Sequence, residues 1–107
     1  MSDPTLYAKI NQDAALIDWN ELQRHFARGR LLCVSEELDL IAVGAAMAED
    51  NVAELAPWVE REALRQANEQ DARHWHETSA VLWAVVIAPW VLVQGQARLH
   101  KPSGEQA

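Results

Sequence analysis

The strongest constraint on the fold is a run near the C-terminus. From Ala80 to Val93 every residue is apolar, with Pro89 inside the run, and no charged residue occurs between Glu77 and Arg98. Such a stretch must leave water. At about 14 residues it is shorter than the roughly 20 that a membrane-spanning helix needs. Its Val, Ile and Trp content suits buried strand better than helix. Pro89 cannot donate to a sheet ladder, so it marks a bulge or the break between two strands. The run therefore reads as the inside of a sheet in a water-soluble protein. Trp83 and Trp90 have an odd spacing. On one unbroken strand they would face opposite ways, and a bulge at Pro89 would return them to one face.

Upstream, helix signals dominate. Asp3 and Pro4 open a first helix, a cap followed by a residue whose missing N–H had no partner there anyway. Leu6 and Ile10 share a face of it, and it is expected to end between Gln12 and Ala15. Asp18 and Glu21 make a capping-box pattern, and Ile17 and Leu22 have staple spacing. Trp19, Leu22 and Phe26 repeat at i, i+3, i+7 as a buried stripe, and Gly29 can close that helix in the left-handed conformation. Leu31 to Val34 reads as a buried strand. A third helix, from about Asp39 to Glu49, is apolar all round and therefore buried, and Gly44 would let another element come close. Asp50 and Asn51 break the chain and cap a fourth helix. Val52, Leu55 and Val59 form its expected inward stripe, with Trp58 beside it. Pro57 should kink this helix or delay its start. Leu64 to Ala67 reads as a short strand, and Asn68 with Asp71 opens a fifth helix with Ala72 and Trp75 inward.

Interleaved helices with few strands predict an α+β fold. The expectation is a single domain over residues 1–94, with a small sheet of about three or four strands, about five helices and a single-layer core. The polar, Gly- and Pro-containing tail over 95–107 is expected to be disordered. The chain's 107 residues suit one domain. Nine Lys and Arg against 16 Asp and Glu give a net charge of −7. Nucleic-acid binding draws on a basic face, as does attraction to anionic membranes, so neither is an expected partner. The N-terminus lacks the basic and apolar regions of a signal peptide. The single cysteine cannot form an internal disulfide, so the cytoplasm is the expected location.

The sequence has no GxxxxGK[ST], GxGxxG, GxSxG, HExxH or CxxC motif. No catalytic residue, metal ligand or cofactor is assigned, and a non-enzymatic role is favoured. Cys33 lies between Leu32 and Val34 in an apolar strand, where a cysteine acts as a small hydrophobe rather than a thiolate. His74 and His76 diverge by about 200° on a helix, so they read as solvent-facing rather than as a metal pair. Glu36, Glu37 and Asp39 precede the third helix, and Glu49, Asp50 and Glu54 follow it. Capping explains most of these. Glu49 sits at a helix C-terminus, where negative charge is unfavourable, so Glu49 and Asp50 are acidic site candidates. Arg24, Arg28 and Arg30 gather three basic residues, with Arg24 and Arg28 one helical turn apart, and are anion-site candidates. Of the five tryptophans, Trp58, Trp83 and Trp90 are interface candidates. The leading expectation is a protein-interaction or homo-oligomerising module, with an unknown protein or a second copy as partner. The alternative is a small-molecule or anion-binding protein with weak catalysis, built from the arginine patch and Glu49/Asp50.

Three segments also carry a resemblance: WNELQRHFARGRLLCV over 19–34, DLIAVGAAMAEDN over 39–51 and LWAVVIAPWVLVQ over 82–94. Together they resemble a family of short bacterial proteins known as domain of unknown function 2288, with the closing APWVLVQ as the most specific part. The resemblance implies a bacterial cytoplasmic protein and brings no activity, ligand or site residue with it.

Overall fold

The computed structural model describes residues 4–95. In chain order the elements are α1 (Pro4–Asp13), β1 (Ala15–Asp18), α2 (Trp19–Ala27), β2 (Leu31–Val34) and α3 (Leu40–Ala48). They continue with α4 (Val52–Glu60), β3 (Leu64–Gln66), α5 (Glu69–Thr78), β4 (Val81–Ile87) and β5 (Trp90–Gln94). The tail expectation over 95–107 lies, from residue 96 on, outside the described residues.

The apolar C-terminal run folds as a hairpin. β4 and β5 pair antiparallel from Trp83 opposite Gln94 to Ile87 opposite Trp90, and the chain reverses at the cis Ala88–Pro89 peptide. Pro89 separates two strands rather than bulging one. Directly opposed residues share a face, and Trp83 is two pleats from Ile87. Trp83 and Trp90 therefore lie on the same face by reversal of the chain. The hairpin is the middle of a five-stranded sheet of order β1-β4-β5-β2-β3. β1 pairs antiparallel with β4 and β3 antiparallel with β2, while β2 and β5 run parallel.

Five strands correct the expectation of three or four. The unexpected strand is β1, which begins at Ala15, where the first helix was expected to fade. It has four residues and only Ile17 is not exposed, so it carries no alternating pattern. Its conformation comes from the ladder offered by Val81 to Ala84 at the other end of the chain.

The single-layer core is also corrected. β4 and β5 are apolar at consecutive positions because helices cover both faces of the sheet. On one face Val34, Leu64, Val85 and Leu92 meet Ile10 of α1 and Leu40, Ile41 and Val43 of α3. On the other, Leu31, Leu82, Ala84, Val91 and Val93 meet Trp19 and Leu22 of α2, with Ala72 and Trp75 of α5 against them. The sheet is thus the central layer of three. α3 is buried on most sides, as its composition requires. A Cβ on Gly44 would come within 3.2 Å of Ile10 Cγ2 and 3.4 Å of Ile87 Cδ1, so α1 and β4 both close on that point.

α4 departs from its expected orientation. It starts at Val52 and runs through Pro57 without the later start that the proline suggested. Leu55 and Trp58 pack on the α1/α3 core, whereas Val52 and Val59 are 69% and 55% exposed. Apolar residues lie on several sides of this helix, so spacing alone did not decide which side faces inward.

Helix ends follow a common device. Asp18, Asp39, Asn51 and Asn68 cap α2, α3, α4 and α5, and Asn68 with Asp71 completes a capping box. At the other end of each of these helices a backbone N–H reaches back five residues. Arg30 donates to His25, Asn51 to Ala46, Ala63 to Trp58 and Ala80 to Trp75, at 2.8 to 3.0 Å. This is the Schellman closure, which needs a left-handed residue just before the donor. Gly29 fills that place after α2, but Asp50, Glu62 and Ser79 fill it elsewhere, with φ of 58°, 63° and 51°.

Candidate functional site

A cleft of about 800 Å³ opens on the α5 side of the sheet. β2 and β5 both end there, at Val34–Ser35 and Gln94–Gly95, so it lies outside the carboxyl ends of the parallel pair. The turn from α4 into β3 brings Glu62 and Ala63, and the last turn of α5 brings His74, Trp75 and Ser79. Open sheets with parallel strands place ligand crevices at this edge, because the strand ends diverge into loops that can carry polar groups. The arrangement is pinned by Ser35 N–H donating to Ala63 O at 2.8 Å. Gln94, buried at the end of β5, also donates from Nε2 to Ser35 O at 2.9 Å and Leu38 O at 2.7 Å.

One wall of the cleft is an ion-paired cluster. Arg65 on β3 donates from Nη1 to Asp71 Oδ2 at 2.7 Å and from Nη2 to Asp71 Oδ1 at 3.0 Å. Asp71 Oδ2 also accepts the Asn68 N–H at 2.9 Å, the return bond of the capping box. The Arg65 guanidinium is the main reason the Asp71 carboxyl is held below its ordinary value, and Asp71 in turn raises Arg65. Cys33 lies beside this pair, its Sγ 3.9 Å from Asp71 Oδ2. Burial first, and then the Asp71 charge, push the thiol up to about 12. The thiol is therefore neutral at physiological pH. The cysteine is part of a wall and not a nucleophile.

Two smaller clefts lie beside α2. One, of about 200 Å³, is lined by Arg24 and His25 together with Glu21 and Asp13. The other, of about 320 Å³, lies among Trp19, Asn20 and His76 and shares Ser79 with the cleft at the ends of β2 and β5. Trp19 Nε1 and Trp83 Nε1 are buried donors with no protein partner among the described residues.

The structure distributes the sequence candidates as follows. Arg24 is exposed on α2, with Nη2 3.5 Å from Glu21 Oε2. Arg28 is the C-cap of that helix, and Arg30 immediately precedes β2. Glu49 and Asp50 form the α3–α4 junction on the opposite face of the sheet, so they do not join the arginines in one site. Trp58 and Trp83 pack partly buried against the α1/α3 core, and Trp90 is half-buried opposite Ile87. Glu37 pairs with Arg61 at 3.0 Å, whereas Glu36 lines the cleft. Sequence reasoning missed Arg65 and the left-handed Glu62. The Arg65–Asp71 spacing matches neither helix nor strand periodicity, because a turn joins them. A glutamate carries no mark of a left-handed backbone. Asp71 was visible only as a cap.

A mostly antiparallel sheet between two helix layers, with a polar cleft at the carboxyl ends of its one parallel pair, defines a small three-layer α+β domain. The chain belongs to the family described as protein of unknown function, DUF2288, whose model matches residues 5–95. It is similar to PA1075 from Pseudomonas aeruginosa, known from an NMR solution structure. The identity is 42% over 92% of each chain, with a TM-score of 0.78. No curated protein matches it. No helix among the described residues is long and apolar enough to cross a membrane.

Proposed function

We propose that this protein binds a small molecule in the cleft at the carboxyl ends of β2 and β5. The observation that carries this reading is the cleft's volume of about 800 Å³, within the range of roughly 300–1,000 Å³ usual for small-molecule sites, at the sheet edge where such sites form. Two features support it. The Arg65–Asp71 pair stiffens one wall. Among the described residues, two of the three non-glycine residues in the left-handed conformation, Glu62 and Ser79, lie on its rim, and retained backbone strain gathers at ligand sites. A fragment screen read by backbone amide shifts tests the reading. Hits should converge on Ser35, Ala63, Ser79 and Gly95. Hits spread over the surface and absent from these four amides would end it.

A second reading is favoured by one observation. Val52 and Val59 share the outer side of α4 and are 69% and 55% exposed, with Trp58 behind them. That apolar strip supports a protein contact, including a homodimer. Light scattering over a range of concentrations tests self-association. A monomer at every concentration, unchanged by Val59→Glu, removes the dimer.

A further inference from the structure

The ligand class follows from how the charges around the cleft are spent; this step rests on the small-molecule reading above. The cleft wall holds a single guanidinium, that of Arg65, and both of its Nη groups are engaged by Asp71 at 2.7 and 3.0 Å. An arginine already forked onto a carboxylate has little charge left for an anionic ligand. Glu36 and Glu62 line the same cleft, and among the described residues neither forms an ion pair. The neighbouring Glu37 differs, being held by Arg61 at 3.0 Å. Glu62 feels the charge of Arg65, but that guanidinium is already held by Asp71.

The backbone adds to the same sign. α4 and α5 both present their carboxyl ends here, through Glu62–Ala63 and Thr78–Ser79. A helix carboxyl end carries about half a negative charge, from carbonyls aligned along the axis. None of the residues lining the cleft belongs to the first turn of a helix, so no positive helix end offsets this. Trp75 provides an aromatic wall, of the kind that accepts cations against its ring. His74 is the remaining titratable group on the rim.

We infer that the cleft is a cation site: its ligand is a small organic molecule bearing an amine or guanidine group, held by Glu36 and Glu62 against Trp75. Binding is non-covalent. The ligand's positive group takes the place of solvent around two carboxylates, and its carbon skeleton covers Cys33, Val93 and the Trp75 ring.

The test is an amide-shift titration of the full chain with agmatine and spermidine as cations, citrate and inorganic phosphate as anions, and ribose as a neutral probe. Agmatine or spermidine should move Ser35, Glu36, Ala63, Ser79 and the Trp75 indole. Glu36→Gln with Glu62→Gln should weaken that binding about tenfold or more, with peaks outside the cleft unmoved. Glu36→Gln alone should give a smaller loss and keeps the assignment testable should the double variant unfold. Citrate, phosphate or ribose binding there while both cations stay silent overturns the charge assignment and leaves the cleft as a binding site. Silence of the cleft amides to every probe overturns both readings. Cations that bind the wild type and E36Q equally overturn the role of Glu36.

Discussion

Glu62 offers a test of whether the α4–β3 turn stores strain. Its φ of 63° is imposed by the bond from Ala63 N–H to Trp58 O at 2.8 Å, which closes α4. A residue with a Cβ costs about 1–2 kcal/mol in this conformation, and glycine costs nothing sterically. Glycine gives back about 0.5–1 kcal/mol through the greater freedom of its unfolded chain. Glu62→Gly should therefore stabilise by about 0.5–1 kcal/mol. A chain of this size has an unfolding entropy of about 0.2 kcal/mol/K, so Tm should rise by about 3–5 °C. Glu62→Ala separates backbone from charge. It removes the carboxylate and keeps the Cβ, so its Tm should stay near wild type. Thermal unfolding by circular dichroism reads all three proteins under one condition. Equal gains from alanine and glycine would place the effect in the side chain. A fall in Tm with glycine would refute the strain argument outright. Ser79→Gly, at φ 51°, should behave like the Glu62 variant.

Asp71→Ala should cost about 2–4 kcal/mol in urea unfolding, because it leaves a partly buried guanidinium without its partner and removes a capping bond. The Arg65 side chain is 38% exposed, and screening by water keeps the figure from rising further. Asp71 is held below its ordinary value of 3.8, so its contribution is complete above that pH and fades as the pH falls toward the folded value. The wild type and variant should accordingly converge in stability in acid, and a constant difference down to about pH 2 would contradict the pairing. Tyr7 donates its hydroxyl to Asp39 Oδ2 at 2.6 Å, and burial followed by that bond pushes the phenol up to about 12. It is the sole tyrosine, so phenolate absorbance in the native protein should stay flat through pH 10. Tyr7→Phe should lose about 1 kcal/mol, a loss that shrinks as pH rises from 10 toward 12 because the raised group stabilises only while protonated. Cys33 should react with a thiol reagent only after denaturation; rapid labelling of the native protein would contradict its place in the wall.

The parts of this fold legible in the sequence are those with a local physical cause. Asp18 with Glu21, and Asn68 with Asp71, announce helix starts because a cap is satisfied within three residues. The unbroken apolar run from Ala80 to Val93 announced buried strand, although its cover by helices on both faces was not read from it. The misreadings share a different origin. β1 is a strand because Leu82 and Trp83 offer it a ladder, and no property of Ala15–Asp18 reports that. On α4 the inward side is chosen by the α1/α3 core, which selected Leu55 and Trp58 over Val52 and Val59. The cleft is still further from local reading, since its residues come from the ends of separate elements and meet only when β2 and β5 lie parallel. Arg65 finds Asp71 across a turn, and Glu62 adopts a backbone that glutamate seldom takes.

Placing the β4–β5 hairpin at the centre of the sheet also sets a timetable for folding during synthesis. These are the last strands of the domain to leave the ribosome, yet β1 has no ladder partner and α3 no sheet to lie on until they do. β2 and β3 can pair early, but Leu40, Ile41 and Val43 stay wet until Val85 and Leu92 arrive. Assembly is therefore governed by contacts between distant segments. A nascent chain halted at Thr78 would expose its most apolar helix, making it a natural client for chaperones.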